Sequence, residues 1–137
     1  MILVSACLAG AECRYNGKAF PVEQVLSLFK EGKALPVCPE ILAGFSAPRA
    51  PGEILNGRVI SPDGTDETDR YIEGAKKALA VALAAGCTEA ILKAKSPTCG
   101  SGKIYDGTFT HRIIEGDGVF AAMLKEHGIR VITEEEL

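Results

Sequence analysis

The fold of this chain is set by a short apolar run and by the loop that leaves it. Residues 90–102 read Ala90-Ile91-Leu92-Lys93-Ala94-Lys95-Ser96-Pro97-Thr98-Cys99-Gly100-Ser101-Gly102. The continuous apolar run predicts a strand that is buried on both faces. The loop after it offers one thiol, three hydroxyls and glycines that let backbone N–H groups approach a ligand. Because open parallel sheets bind their ligands just beyond the carboxyl ends of strands, we expect Cys99 and Ser101 near a functional site.

Three more apolar runs, at residues 2–4, 34–37 and 129–132, predict the other strands of the same sheet. The segments between them have helical periodicity. The longest predicted helix covers residues 65–85 and carries acidic residues in its first turn, which suit the positive end of the helix dipole. Its predicted inward face consists of Ile72, Ala75, Leu79 and Leu83.

Asn56-Gly57 is a strong two-residue turn signal, so residues 53–61 are predicted to form a β-hairpin. Residues 104–109 are interpreted as a turn with aromatic flanks, and residues 133–137 as an acidic tail. The alternation of strands and helices predicts an α/β fold. We expect one domain over residues 1–137, with a Rossmann-like parallel sheet of about four strands, helices on both faces and the small hairpin.

Composition excludes several classes of protein. The chain is 47% hydrophobic and 24% charged, which excludes a disordered chain. A net charge of −3 argues against a nucleic-acid partner. Charged residues follow the apolar N-terminus too soon for a signal or spanning segment, so we expect a cytoplasmic protein with no membrane partner. Five cysteines in such a protein should be thiols or metal ligands rather than disulfides.

Three of the cysteines follow predicted strands. Cys7 comes three residues after Val4, Cys38 directly follows Val37, and Cys99 lies one short loop after Leu92. Parallel strands place their carboxyl ends at one edge of the sheet, so these thiols can meet there. Soft thiolates select zinc, copper(I) or iron–sulfur clusters. No Cys-x-x-Cys pair is present, so the spacing alone is not a specific ligand signature, and each thiol taken singly could be a small buried hydrophobe.

The other two cysteines have different interpretations. Cys87 lies at a predicted helix end and in no motif, which favours a buried structural thiol. Cys13 can be a fourth ligand, a reactive thiol near the site or a structural residue, and the sequence leaves these three alternatives open. The two histidines, His111 and His127, are too few for a histidine-based metal site and are expected at the surface.

Polar residues near the cysteines are candidates for the chemistry. Glu40 lies two residues after Cys38 and can act as a general base, or simply begin a helix. Ser96 can orient a substrate, or serve as a turn hydroxyl before Pro97. Arg49 lies between Pro48 and Pro51 and can bind an anionic or carbonyl group, although such arginines are more often structural.

Several motifs together resemble one family of small bacterial proteins of formerly unknown function, which includes thiouracil desulfurase. They are Ser5-Ala6-Cys7-Leu8-x-Gly10, Cys13-Arg14-Tyr15-Asn16-Gly17, Val37-Cys38-Pro39-Glu40, Pro48-Arg49-x-Pro51, Ser96-Pro97-Thr98-Cys99-Gly100-Ser101-Gly102, Ile104-Tyr105-Asp106-Gly107-Thr108-Phe109 and Gly116-Asp117-Gly118-Val119. The resemblance runs in order over nearly the whole chain.

The resemblance implies a 4Fe–4S cluster that is held by Cys7, Cys38 and Cys99, with Cys13 as a further possible ligand. The open iron would take sulfur from a small thiolated compound such as 2-thiouracil, without net redox change. Glu40 and Ser96 would be the acid/base and substrate-positioning residues, and Arg49 and Ser101 are assigned to substrate binding. Such a cluster can be lost, or replaced by zinc, in aerobic preparations.

A second hypothesis places a non-catalytic metal or sulfur carrier, or a zinc-binding small-molecule sensor, on the same fold. It requires the same thiols but no turnover. The two hypotheses differ in what Glu40→Gln does. In an enzyme the substitution keeps the metal and abolishes activity, whereas in a carrier it changes little.

Overall fold

The computed structural model describes residues 1–137 and is an α/β fold around a four-stranded parallel sheet of order β2-β1-β5-β8. In chain order the elements are β1 (Ile2–Ser5), α1 (Glu23–Lys30), β2 (Ala34–Val37), α2 (Pro39–Leu42), β3 (Glu53–Leu55), β4 (Arg58–Ile60), α3 (Thr68–Ala84), β5 (Glu89–Leu92), β6 (Lys103–Tyr105), β7 (Ile113–Glu115), α4 (Val119–Glu126) and β8 (Arg130–Thr133). The parallel sheet and its four strands confirm the predicted fold class.

Helices cover both faces of the sheet. Successive residues of a strand point to opposite faces, so Leu3 and Val4 on β1 enter two different cores. Leu3 packs in the larger core with Phe120 of α4 and small residues of α3. Val4 packs in the smaller core with Val25 of α1. Because every strand is covered on both sides, the carboxyl edge of the sheet is where side chains can reach solvent.

The predicted inward face of α3 is correct only in part, since Ala75 is buried and Leu79 packs against the larger core, whereas Leu83 does not face inward. Its buried residues are Thr68, Tyr71, Gly74, Ala75, Ala78 and Ala82. Leu83 is 51% exposed, and of the predicted face only Ala75 is buried. The reason is the close approach of α2, since a Cβ at Gly74 would lie 2.2 Å from the Pro39 carbonyl oxygen. Small residues must face such a neighbour, so the small-residue face is inward although it is less hydrophobic than the leucine face.

Two antiparallel hairpins extend from the sheet. In the predicted one, β3 pairs with β4, and Asn56 and Gly57 have φ of 50° and 76°, as the two central residues of a type I′ turn require. The second hairpin, β6 with β7, was not predicted. Each residue of β7 is exposed, so this strand lacks the alternating pattern by which a half-buried strand is recognised.

The C-terminal residues are not a free acidic tail. They form a 3-10 turn over Glu134–Glu136, closed by a capping box between Thr133 and Glu136. Glu134 accepts hydrogen bonds from the Ala94 N–H at 2.6 Å and from Lys93 Nζ at 3.0 Å. This turn therefore holds the backbone where it leaves β5. None of the helices combines the length and the apolar character needed to span a bilayer.

Candidate metal centre

A cavity of about 630 Å³ opens at the carboxyl edge of the sheet. Its lining includes four of the five cysteines, namely Cys7, Cys13, Cys38 and Cys99. All of them are free thiols. The fifth, Cys87, is buried in the larger core, in agreement with its interpretation as a structural residue. The structure thus brings together thiols that lie far apart in the chain, from Cys7 to Cys99.

Strand ends fix Cys7 and Cys38. Cys7 lies in a 3-10 turn that directly follows β1, and its carbonyl oxygen accepts the Phe20 N–H at 3.0 Å. Cys38 is the first residue after β2 and caps α2, with extended φ and ψ of −128° and 101°. Pro39 then occupies the first helical position, where its missing N–H costs no hydrogen bond. Both thiols are therefore placed by the neighbouring strands β1 and β2.

The loop that carries Cys99 is fixed by Ser96 and by α4. The Ser96 hydroxyl oxygen accepts the N–H groups of Thr98 at 3.1 Å and Cys99 at 3.0 Å. Behind the loop, the Phe120 N–H of α4 donates to the Thr98 carbonyl at 2.9 Å. Gly118 must be glycine, because a Cβ there would lie 2.5 Å from Thr98 backbone atoms. Cys99 thus lies on a backbone that is hydrogen-bonded on both sides.

Burial and neighbouring groups raise the pKa values of three of the cavity cysteines. The pKa of Cys13 is raised to about 11: Cys38 pulls it down, but the Cys7 thiol and burial outweigh that effect. The neighbouring Cys13 thiol and burial raise the pKa of Cys38 far above its usual range. Burial is also the main reason that the pKa of Cys99 is raised. Crowded thiols with raised pKa values would be thiolates only if a cation compensated the charge.

The thiols surround the cavity without converging on one point. No three side chains of His, Cys, Asp or Glu are close enough together to hold a single metal ion. A 4Fe–4S cluster contains several metal atoms, and its cysteine ligands are therefore spread around the cluster instead of meeting at one point. Soft sulfur donors around a pocket fit such a group in chemistry. The residues present therefore fit an iron–sulfur cluster.

Glu40 and Arg49 form a buried ion pair beside the thiols. Arg49 Nε donates to Glu40 Oε1 at 2.9 Å, and the two side chains are only 7% and 14% exposed. Thr98 Oγ1 donates to Glu40 Oε2, also at 2.9 Å. Both Glu40 and Arg49 line the cavity. The carboxylate is thus held in one orientation, and Arg49 is bound to Glu40 rather than free to bind an anion alone.

Ser96 and Ser101 differ in position. Ser96 lines the cavity, and two N–H groups occupy the acceptor positions of its oxygen, so its hydroxyl hydrogen remains available to donate. Ser96 is therefore both the turn hydroxyl and a possible substrate ligand. Ser101 lies outside the lining of the cavity, and the structure does not bring it together with the other predicted site residues.

The opposite wall, meaning the part of the cavity lining that carries no cysteine, contains residues that the sequence did not indicate as functional. Glu53 of β3, Phe109 and His111 line the cavity, as does Glu134 of the C-terminal turn. His111 is exposed, as expected, but its ring packs edge-on against Tyr105 at 5.8 Å between centroids and faces the cavity. The sequence indicated only local structure for this wall, namely the hairpin over residues 53–61 and a turn with aromatic flanks over residues 104–109.

Comparisons with known proteins agree with this geometry. A family model described as 2-thiouracil desulfurase matches residues 2–136. The protein YbbK of Bacillus subtilis (strain 168), which is described as uncharacterized, is 49% identical over 147 aligned residues, covering all of this chain and 97% of YbbK. The solved structure of the [4Fe-4S]-dependent thiouracil desulfidase TudS (DUF523Vcz) is similar with a TM-score of 0.93 and 41% identity, covering 99% of this chain and 91% of TudS.

These matches confirm the family resemblance that the sequence motifs indicated, since the family model spans the whole sheet and every cysteine that lines the cavity. They also confirm the fold, because the likeness to TudS extends over nearly the entire chain. The family and the likeness to TudS indicate an enzyme of the desulfurase class, and the thiol-lined cavity agrees with that class. The chain belongs to the 2-thiouracil desulfurase family.

Proposed function

We propose that this protein is a 4Fe–4S-dependent desulfurase that removes sulfur from a small thiolated compound of the 2-thiouracil type, without net redox change. Cys7, Cys38 and Cys99 are the proposed cluster ligands. The single observation that carries the proposal is the cavity in which these thiols meet Glu40 and Ser96. The family and the cluster-dependent relative TudS support it.

The choice of three ligands leaves Cys13 as the unligated thiol. Cys7 and Cys99 are buried, at 6% and 7% exposure, and each follows a strand of the parallel sheet. Cys13 instead lies on the loop after the first 3-10 turn and is only partly buried. Cys38 is partly buried as well, but it directly follows β2, and the backbone of the Cys99 loop is hydrogen-bonded on both sides, so these positions are fixed by the sheet and by α4. When bound, the cluster would supply an iron atom without a protein ligand, which is a site for the sulfur of the substrate.

The side chains around that position have separate roles. Ser96 can donate its free hydroxyl hydrogen to a polar atom of the substrate. Glu40 is the group that can accept or deliver a proton as the carbon–sulfur bond breaks and water replaces sulfur. Arg49 and Thr98 fix the Glu40 carboxylate, so the direction of its lone pairs is set before the substrate arrives.

The test is anaerobic turnover of 2-thiouracil to uracil and sulfide by protein reconstituted with iron and sulfide. Glu40→Gln should keep the iron content and lower kcat by roughly 10²- to 10⁴-fold, the usual effect of losing a general acid or base. Glu73→Gln, on the exposed face of α3, is the matched control and should be silent. Wild-type protein that binds iron but releases no sulfide from any thiolated pyrimidine would support a carrier and contradict the proposal.

A further inference from the structure

Glu53 is a buried carboxylate that the proposed function does not use. It begins β3, is 8% exposed and lines the cavity. Neither a lysine nor an arginine pairs with it, although the structure contains seven other ion pairs. A carboxylate that is buried without a cation costs free energy unless hydrogen bonds compensate for the lost water. The hydrogen bonds of Glu53 therefore indicate its role in the structure.

One oxygen of Glu53 holds the loop that joins β6 to β7. Glu53 Oε1 accepts the Gly107 N–H and the Phe109 N–H, each at 3.1 Å. Gly107 approaches β3 so closely that a Cβ would lie 2.6 Å from the Leu55 Cβ. These contacts place the loop over the cavity, where Phe109 and His111 line it.

The loop holds two non-glycine residues in left-handed backbone conformations. Phe109 has φ of 59° and His111 has φ of 62°. Such conformations are unfavourable for side chains of this size, and they persist only where the surrounding structure enforces them. Both residues face the same cavity, which indicates that the position of their rings matters to what the cavity binds.

The second oxygen of Glu53 has no partner in the protein. Every fully buried side-chain nitrogen or oxygen in the structure has a hydrogen-bond partner. Oε2 makes no such bond, so it is not fully buried and reaches open space. Glu53 lines the large cavity and also a small crevice too narrow for a water molecule, so the large cavity is the open space that can hold a ligand. The carboxylate thus offers a fixed, negatively charged acceptor to a bound molecule.

We infer that Glu53 binds the substrate through Oε2 by accepting a ring N–H that adjoins the thiocarbonyl carbon, while its Oε1 positions Phe109 and His111 against the same ring. The inference rests on the proposed function and identifies the substrate class more closely, as a planar heterocycle with an unsubstituted N–H beside C=S. This hydrogen bond would select the substrate, because binding a molecule without the N–H costs free energy. A substrate that lacks the N–H leaves a buried carboxylate oxygen without water and without a partner.

The experiment compares Glu53→Gln with wild type and with the exposed control Glu73→Gln, in reconstituted protein. Glutamine keeps an oxygen for the two loop N–H groups but presents an NH₂ group where Oε2 lay. We expect KM for 2-thiouracil to rise about tenfold or more, because hydrogen bonds to charged groups have effects of that size, while kcat changes less than about threefold. Iron content and the visible spectrum should equal those of wild type.

Two further measurements follow binding rather than turnover, and their wild-type arms do not depend on the folding of a variant. Wild-type protein is assayed with 2-thiouracil methylated at either ring nitrogen, and uracil binding is measured by calorimetry as a ligand that cannot lose sulfur. One methyl position should weaken binding to wild type about tenfold or more and leave binding to Glu53→Gln nearly unchanged, and uracil should bind the variant about tenfold more weakly than wild type.

Equal KM and equal uracil affinity for wild type and Glu53→Gln, with normal turnover, would overturn the inference and leave the proposed function intact. Absence of turnover in wild type, with tenfold weaker uracil binding by Glu53→Gln, would overturn the proposed function while supporting Glu53 as the ligand-binding residue. Loss of iron in Glu53→Gln would show that Glu53 supports the metal centre, which contradicts its assignment to the substrate.

Discussion

The two walls of the cavity are built from different kinds of structure. The cysteine wall consists of the ends of β1, β2 and β5, which belong to one parallel sheet with cores on both faces. The opposite wall consists of β3 and the loop between β6 and β7, which belong to two separate hairpins, together with Glu134 of the C-terminal turn. A metal cluster needs ligands at fixed separations, and a packed sheet provides them. A wall of hairpins and loops can vary with the substrate without disturbing the sheet.

This difference predicts that substitutions in the two walls have separable effects. Changes at the sheet edge should remove iron and activity together. Changes at the opposite wall should alter substrate binding and leave iron in place. Substitutions in each wall, with iron content and substrate binding measured separately, can test this difference.

The largest effect is expected for Cys99→Ala. Losing one of three proposed ligands should remove most of the iron and lower activity by more than about a hundredfold. Even the loss of a residue that only hydrogen-bonds to a metal ligand typically lowers metal affinity or activity about 10- to 100-fold. The measurements are iron and sulfide per chain and turnover after anaerobic reconstitution. Cys87→Ala is the matched control, because Cys87 is equally buried but lies in the core, away from the cavity. Equal iron loss in both variants would contradict the assignment.

Arg49→Ala should reduce both stability and turnover. It leaves the Glu40 carboxylate, only 14% exposed, without its cation. Breaking a buried pair in this way costs about 3 kcal/mol or more in the free energy of unfolding. Urea unfolding of the cluster-free protein measures it. Arg70→Ala is the comparison and should cost clearly less, because it removes an exposed arginine that donates to the Ala43 carbonyl and stacks on the Phe45 ring but leaves no buried charge unpaired. Equal costs would show that the Glu40–Arg49 pair has no special role.

Gly107→Ala tests the opposite wall. Gly107 has φ of 93°, and its Cβ would meet Leu55, so alanine must displace the loop that carries Phe109. KM should rise about tenfold while iron content is unchanged, because a misplaced wall weakens substrate binding without reaching the sheet edge. Gly57→Ala is a control, with similar backbone strain at φ of 76° but open space around it, away from the cavity. If Gly107→Ala lost iron, the two walls would not be independent.

The C-terminal turn should contribute a smaller effect. Glu134→Ala removes the acceptor of the Ala94 N–H and of Lys93, and the Glu134 side chain is 7% exposed. We expect the free energy of unfolding to fall by about 1–3 kcal/mol. Glu135→Ala breaks the more exposed pair with Lys95 and should change it by less than about 1 kcal/mol. Thermal unfolding of both variants checks the difference, and identical midpoints would show that the turn does not hold the end of β5.

The smallest effect is a pH dependence of the cluster-free protein. The pKa of Cys13 is about 11 in the folded chain against 9.0 for an unperturbed thiol, so the folded state keeps a proton that the unfolded state loses. Stability should therefore be fully present below about pH 9 and decline as pH rises toward 11. Cys13→Ser should show a shallower decline between about pH 9 and pH 11 under reducing conditions. Parallel curves would mean that the thiols do not raise one another's pKa.

The sequence predicted the cysteine wall well because that wall follows from the sheet. Apolar runs mark buried strands, parallel strands share one carboxyl edge, and residues just past strand ends must gather there, as Cys38 does directly after β2. The predicted hairpin at Asn56-Gly57 was confirmed for an equally local reason, since its turn needs two left-handed residues. Glu40 could be proposed from its distance to Cys38 alone.

The contacts that assemble the opposite wall could not be predicted, because they join segments far apart in the chain with no pattern to reveal them. Glu53 bonds to Gly107 and Phe109, which lie 54 and 56 residues away. Glu134 bonds to Ala94 across 40 residues. Leu83 of α3 was wrongly predicted to face inward for a related reason, since the contact between Gly74 and Pro39 favours small residues over hydrophobic ones.

The most direct test of the central claim is Mössbauer spectroscopy of anaerobically reconstituted protein, with and without 2-thiouracil, for wild type and Cys13→Ser. The account predicts about four irons per chain in both proteins, and one iron site whose signal changes when the ligand is added. Fewer than about one iron per chain in wild type would contradict it. A cluster that loses an iron ligand in Cys13→Ser and does not respond to 2-thiouracil in wild type would contradict it equally, because four cysteines would then close the centre.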